Sequence, residues 1–225
     1  MRRKYWPFLI LFIIGCKNSS SPKDGGLSAY YHEFLIYVLS PSQETVKCEA
    51  SFQRGGQRER AASLPEGYTV YLDGKPAPPD NEENPIYAIE RNTSELLGDH
   101  VWTVKRNGVN VVEVPTSLSV CKLLSAQPSG SIGKEDLVMS FEGAKDKDVI
   151  ECWFEEVNGR ADNYNYYIKG NSITIPATDL KKLGKGPHSM EFSLLKTSPV
   201  MYNGKKVGIA ETNYTLDPLH VVIDY

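Results

Sequence analysis

What this chain does without narrows its functions first. None of its 225 residues falls in an apolar run of the ~18 that a membrane-spanning helix requires. Lysines and arginines form no cluster beyond the first few residues, and 28 acids against 25 bases leave a formal charge of −3. Phosphate binding needs gathered cations, so nucleic acid is excluded as a partner. The four histidines and four cysteines compose neither H-E-x-x-H nor C-x-x-C, which leaves a metal site without a local signature. G-x-S-x-G, the Walker loop and the dinucleotide fingerprint are all missing, so no cofactor is expected. Helical periodicity is scarce too, limited to single turns near Ser94 to Leu97 and Thr178 to Leu183.

What is present begins at the N-terminus. Arg2, Arg3 and Lys4 precede an apolar stretch from Tyr5 to Ile14, too short to cross a bilayer and suited to the core of an export signal. Ile13-Ile14-Gly15-Cys16 then closes the stretch. This resembles the lipobox of bacterial lipoproteins, which implies cleavage between Gly15 and Cys16, acylation of Cys16 and anchoring in a lipid bilayer. One acyl chain anchors marginally and two or three anchor stably, at about 0.8 kcal/mol per buried methylene. Lys17, where some lineages use Asp to retain lipoproteins at the inner membrane, points to the outer membrane of a cell envelope, with the protein facing the periplasm or exposed at the surface. Residues 17–29 (KNSSSPKDGGLSA) are almost free of apolar side chains and read as a flexible tether.

From Tyr30 onward the chain reads as all-β. Thr45 to Phe52 places Val46, Cys48, Ala50 and Phe52 on one face. Asn107-Gly108 separates two strand-like runs, and that dipeptide adopts positive φ at both positions, as a tight hairpin demands. Leu137 to Phe141, Val149 to Val157, Tyr166 to Lys169, Ser172 to Ile175, His188 to Leu195 and Leu219 to Tyr225 share the same pattern. Two stretches, Ile86 to Lys105 and Ile173 to Lys196, share one order: strand, polar residue, Leu-rich turn, glycine, histidine, amphipathic strand. His100 and His188 are 88 positions apart and Phe52 and Phe141 are 89 apart, which argues for two copies of one unit. A unit of about seven strands in about 100 residues resembles an immunoglobulin-like β-sandwich. The resemblance implies two tandem sandwiches, 30–122 and 123–225, behind a signal peptide (1–15) and a tether (16–29). It also assigns Trp153 to the core position that such domains fill with tryptophan, with Tyr71 at about that place in the first copy.

The remaining candidates are weighed against structural roles. Cys48 and Cys152 share the apolar phase of their strands and read as small buried hydrophobes, while a Cys48–Cys121 bridge stays open as an alternative. His100 and His188 fall at equivalent strand starts, where they would cap the crossover turn. Asp146 and Asp148, and Asp80 with Glu82 and Glu83, read as solvated turns, since calcium needs more oxygens in a fixed pattern. Glu155 and Glu156 are adjacent on a strand and face opposite sides. Tyr164, Asn165, Tyr166 and Tyr167 form a candidate contact surface, whose alternative is that some of the tyrosines fill the core. The expectation is a non-enzymatic, membrane-anchored interaction or structural module of the envelope, whose partner is an envelope protein or a glycan. The alternatives are a carbohydrate-binding accessory protein using Tyr164 to Tyr167, and an enzyme with a site assembled from distant strands.

Overall fold

Alternation of apolar and polar side chains builds nearly every element, and the strands it produces fall into two sets. The computed structural model describes residues 26–57, 59–128, 131–155 and 161–225. Gly15, Cys16 and Glu156 lie outside them, as does most of the expected tether. In the first half, β1 (Tyr30–Val38), β2 (Thr45–Arg54) and β5 (Ile86–Asn92) make one sheet in the order β1-β2-β5. It packs on a second sheet of β4 (Lys75–Pro76), β3 (Tyr68–Leu72), β6 (Gly98–Arg106) and β7 (Val109–Leu118), ordered β4-β3-β6-β7. Every second residue of β1 is buried, and Phe34 meets Phe52 edge-on at 5.9 Å and Trp102 at 5.5 Å.

The second half repeats that order. β8 (Lys122–Gln127), β10 (Leu137–Glu142) and β13 (Ser172–Ile175) form one sheet, with β10 central. β12 (Ala161–Tyr167), β11 (Val149–Glu155), β14 (Gly186–Tyr202) and β15 (Lys205–Thr215) form the other. The crossovers match as well: a 3-10 turn at Thr93–Glu95 in one half, and α1 (Ala177–Leu180) with a 3-10 turn at Lys181–Leu183 in the other. β16 (Leu219–Ile223) continues β15 after Leu216-Asp217-Pro218, pairing with the start of β14 and in parallel with β9 (Ser131–Ile132). The expected junction between 122 and 123 falls at the first residue of β8.

The two halves differ at one place that matters for the whole. β14 has 17 residues where its counterpart β6 has nine. The surplus carries the β14–β15 hairpin past its own sandwich as an arm. Along the arm β15 pairs in parallel with β1, from His32↔Gly208 to Val38↔Tyr214, and one nine-stranded sheet results. A glycine at 208 permits this, because a Cβ there would lie 1.8 Å from the His32 carbonyl oxygen. The inner face of the arm meets β7: the Thr212 hydroxyl donates to the Ser117 carbonyl at 2.9 Å, and Lys196 Nζ donates to Ser119 Oγ at 2.8 Å. Buried apolar residues of both halves belong to a single continuous core.

Two expectations change here. The tether was expected to reach Ala29, but Leu27–Ala29 is a 3-10 turn whose Leu27 is fully buried and whose Leu27 carbonyl accepts a hydrogen bond from His32 Nε2. One apolar residue in a polar stretch is enough to seat the chain. Trp153 is not a core residue. It is 44% exposed, whereas Trp102 on β6 is fully buried. Strand parity explains it: Cys152 and Phe154 take the inner face of β11, so Trp153 takes the outer one. Tyr71 is half-buried, with Lys105 4.5 Å above its ring.

Candidate functional site

The expected contact surface sits on β12, the terminal strand of the nine-stranded sheet. The segment is a strand throughout rather than a turn, paired with β11 from Val149↔Tyr167 to Glu155↔Ala161. Alternation therefore divides the four residues. Tyr164 and Tyr166 face the α1 turn, while Asn165 and Tyr167 face outward. Tyr164 stacks on Phe154 at 4.6 Å between centroids, with Lys182 4.6 Å above it. The Tyr166 hydroxyl donates to Asp179 at 3.2 Å, and burial together with the Asp179 carboxylate pushes its ionisation well above the usual tyrosine range. Both rings thus hold the crossover turn to the sheet. On the outer face, Tyr167 is 70% exposed and Trp153 projects from the neighbouring strand. The spacing from Val149 to Trp153 sets the two rings about 13 Å apart along the strands, at ~3.3 Å per residue.

Edges elsewhere are protected, each by a recognisable device. β5 is covered by the loop before it, with the Ala88 amide donating to the Pro78 carbonyl and the Asp80 amide to the Ile86 carbonyl. β7 carries Pro115, and the free half of β14 carries Pro199. β4 is two residues long, β13 four, and the β8 ladder is broken by a bulge opposite Ser140 and Phe141. β12 has seven residues, a regular ladder on one side, no proline, lysine or arginine, and no strand on its other side among the described residues. Open edges of that kind are templates for strand addition.

The histidines have structural partners. His100 Nε2 donates to the Leu96 carbonyl at 2.6 Å and His188 Nε2 to the Gly184 carbonyl at 3.1 Å, so each ties its strand to the crossover turn four residues back. In the first half Asp73 joins this arrangement, 2.7 Å from His100 Nδ1 and 2.9 Å from the Val101 amide. His32 was not singled out from sequence, yet it is fully buried, edge-on to Phe52, with Nδ1 unpartnered. Burial depresses its basicity, opposed only in part by the bond to Leu27. Its position on the buried phase of β1 was the available signal.

Cys48, Cys121 and Cys152 are buried free thiols, so the Cys48–Cys121 bridge is not formed. Burial raises Cys48 and Cys121 to about 12 and Cys152 further, which leaves no thiolate for chemistry near neutral pH. Asp80, Asp146 and Asp148 accept backbone amides of Ile86, Gly170 and Lys145 and so close turns. Among the described residues no three of His, Cys, Asp and Glu gather in a metal-holding group. No helix among them is long and apolar enough to cross a membrane. A cleft of about 450 Å³ lies between β6–β7 and the arm, lined by Asp99, Thr116, Ser117, Lys196, Ser198 and Thr212 among others. His100 also lines it, with both ring nitrogens already facing oxygen acceptors.

No family model and no curated protein matches the chain. Among solved structures, a cytokine receptor complex aligns over 85% of this chain and 95% of its own, at 10% identity and a TM-score of 0.29. A tetra-tandem repeat from the extending region of a large adhesion protein aligns over 84% of this chain and 50% of its own, at 13% identity and a TM-score of 0.26. The Yersinia pseudotuberculosis adhesin InvE aligns over 86% and 61%, at 12% identity and a TM-score of 0.26. The chain thus spans about half of the adhesion-protein repeat. These likenesses are loose. The chain's own residues build an all-β body of paired immunoglobulin-like sheets, with β12 at the end of the larger sheet.

Proposed function

We propose that this chain is an exported, non-enzymatic interaction module of a bacterial cell envelope, held to a bilayer by acylated Cys16 and offering β12 to a protein partner. The observation that carries the reading is the pattern of edge protection. Proline, brevity, a bulge or a covering loop marks the other free edges, while β12 has seven residues, a regular ladder to β11, and no strand on its other side among the described residues. An extended partner segment added there gains main-chain hydrogen bonds, with Asn165 and Tyr167 available to select it. The tandem halves act as the scaffold that holds this edge away from the membrane, on a leash shortened to residues 16–26.

The reading separates into two tests. Metabolic labelling with a palmitate analogue is expected to mark the wild-type protein and to miss Cys16→Ser; an unlabelled wild type removes the anchor. Placing lysines on the open edge (Asn165→Lys with Tyr167→Lys) is expected to abolish retention of envelope proteins on the immobilised chain while thermal unfolding stays nearly unchanged, since both side chains are exposed. Retention that survives the double variant removes β12 as the docking edge. A glycan reading is favoured by a different observation, the outward Tyr167 and Trp153, whose rings offer flat faces to sugars. Trp153→Ala with Tyr167→Ala would then abolish retention on polysaccharide columns.

A further inference from the structure

The register between β1 and β15 carries a mechanical consequence. The strands run parallel, so the N-terminal end of β1 and the C-terminal end of β15 lie at opposite ends of the pair. A pull outward on the chain before Tyr30 and on the chain after Thr215 therefore slides the strands past each other along their common axis. All seven register pairs from His32↔Gly208 to Val38↔Tyr214 resist that sliding together. β1 is held on its other side by β2, from Tyr30↔Arg54 to Ile36↔Cys48, and β15 by β14, from Ser193↔Thr215 to Tyr202↔Lys205. Most of the intervening chain, from β2 to β13, lies off the direct line between the two pulled ends.

We propose that the β1–β15 pair is a tension clamp, built by the eight extra residues of β14, which carries force between the two ends of this chain without routing it through the strands from β2 to β13. Three observations support it independently. The arm exists only in the second copy, so the sandwich itself does not require it. The strands approach so closely at Gly208 that a single methyl would collide with the His32 backbone. The arm is also fixed on its inner face, through Thr212 to Ser117 and Lys196 to Ser119, so β15 cannot rotate away from β1 under load. The C-terminal pull reaches β15 through β16, itself paired along its length with β14 and in parallel with β9, so it too is loaded along its axis.

Single-molecule stretching of the full chain tests this, with Cys16→Ser removing the competing thiol and the three buried thiols left in place. Handles at Ser28→Cys and at a cysteine added after Tyr225 load the pair in shear. Handles at Ser42→Cys and Asp217→Cys sit beyond the same end, next to Val38 and Tyr214, and peel it open one register pair at a time. Shear is expected to need several-fold more force than peeling, because forced rupture follows the unfolding barrier and peeling breaks few contacts per step. Equal forces in the two geometries overturn the proposal. Gly208→Ala is expected to lower the shear force and leave the peeling force almost unchanged. An unaltered shear force in a folded Gly208→Ala protein also overturns it, and if that variant does not fold, the comparison of geometries in the wild type decides alone.

Discussion

At the scale of single residues, burial assigns opposite fates to chemically similar side chains. Trp102 fills the first core against Phe34, whereas Trp153 stands on an outer face. Trp102→Ala is expected to cost about 3–5 kcal/mol, and Trp153→Ala about 0.5 kcal/mol or less, by chemical denaturation. Equal costs would return Trp153 to the core. His32 makes a second prediction. Burial keeps it neutral in the fold, while the unfolded chain takes up its proton near the ordinary value of 6.5. Its contribution is thus intact above pH 6.5 and erodes as pH falls from there toward the lowered folded value, by at most about 1.4 kcal/mol per pH unit. His32→Gln, which retains a donor for the Leu27 carbonyl, is expected to flatten melting temperature against pH between 6.5 and 5.

At the scale of elements, period-two patterning was a sufficient guide to most strands, and a turn dipeptide to one hairpin. Thr45 to Phe52 lies within β2, Asn107-Gly108 turns β6 into β7, and the paired histidines cap matching crossovers. The same patterning contained the answer for Trp153, since the inner phase of β11 was legible from Ile150, Cys152 and Phe154; analogy to a core tryptophan overrode it. In β12 alternation also predicts a split in stability. Tyr164→Ala removes a ring stacked on Phe154 and is expected to lower the melting temperature clearly, while Tyr167→Ala leaves it almost unchanged. A matching drop for both would mean that the outer ring packs too. β15 was not recognised as a strand, although Ala210, Thr212 and Tyr214 alternate inward, because Gly208, Thr212 and Asn213 dilute its apolar signal.

At the scale of the molecule, what escaped the sequence is the pairing of β1 with β15. Their partners lie more than 170 positions apart, and no local spacing reports a contact of that separation. One trace was visible: His100 and His188 are 88 apart, but the hairpin asparagines Asn107 and Asn203 are 96 apart. The shift measures the arm. Because the halves share a sheet and a core, thermal unfolding of the whole chain is expected to be one transition with equal calorimetric and van't Hoff enthalpies. Two resolved transitions would mean that the shared sheet does not couple them. Residues 26–122 alone, with the flank of β1 bare, are expected to aggregate or melt well below the whole.

The occupied flank of β1 also bears on how such units multiply. In an array where each member merely succeeds the last, another can be appended without disturbing its predecessors. Here the second copy reaches back to finish the first, and the first has no corresponding reach, since β6 and β7 end at Asn107-Gly108 inside their own sandwich. A further copy joined beyond Tyr225 would find the flank of β1 taken and would have to land on β8, the matching strand of the second copy, whose irregular ladder offers a poorer seat.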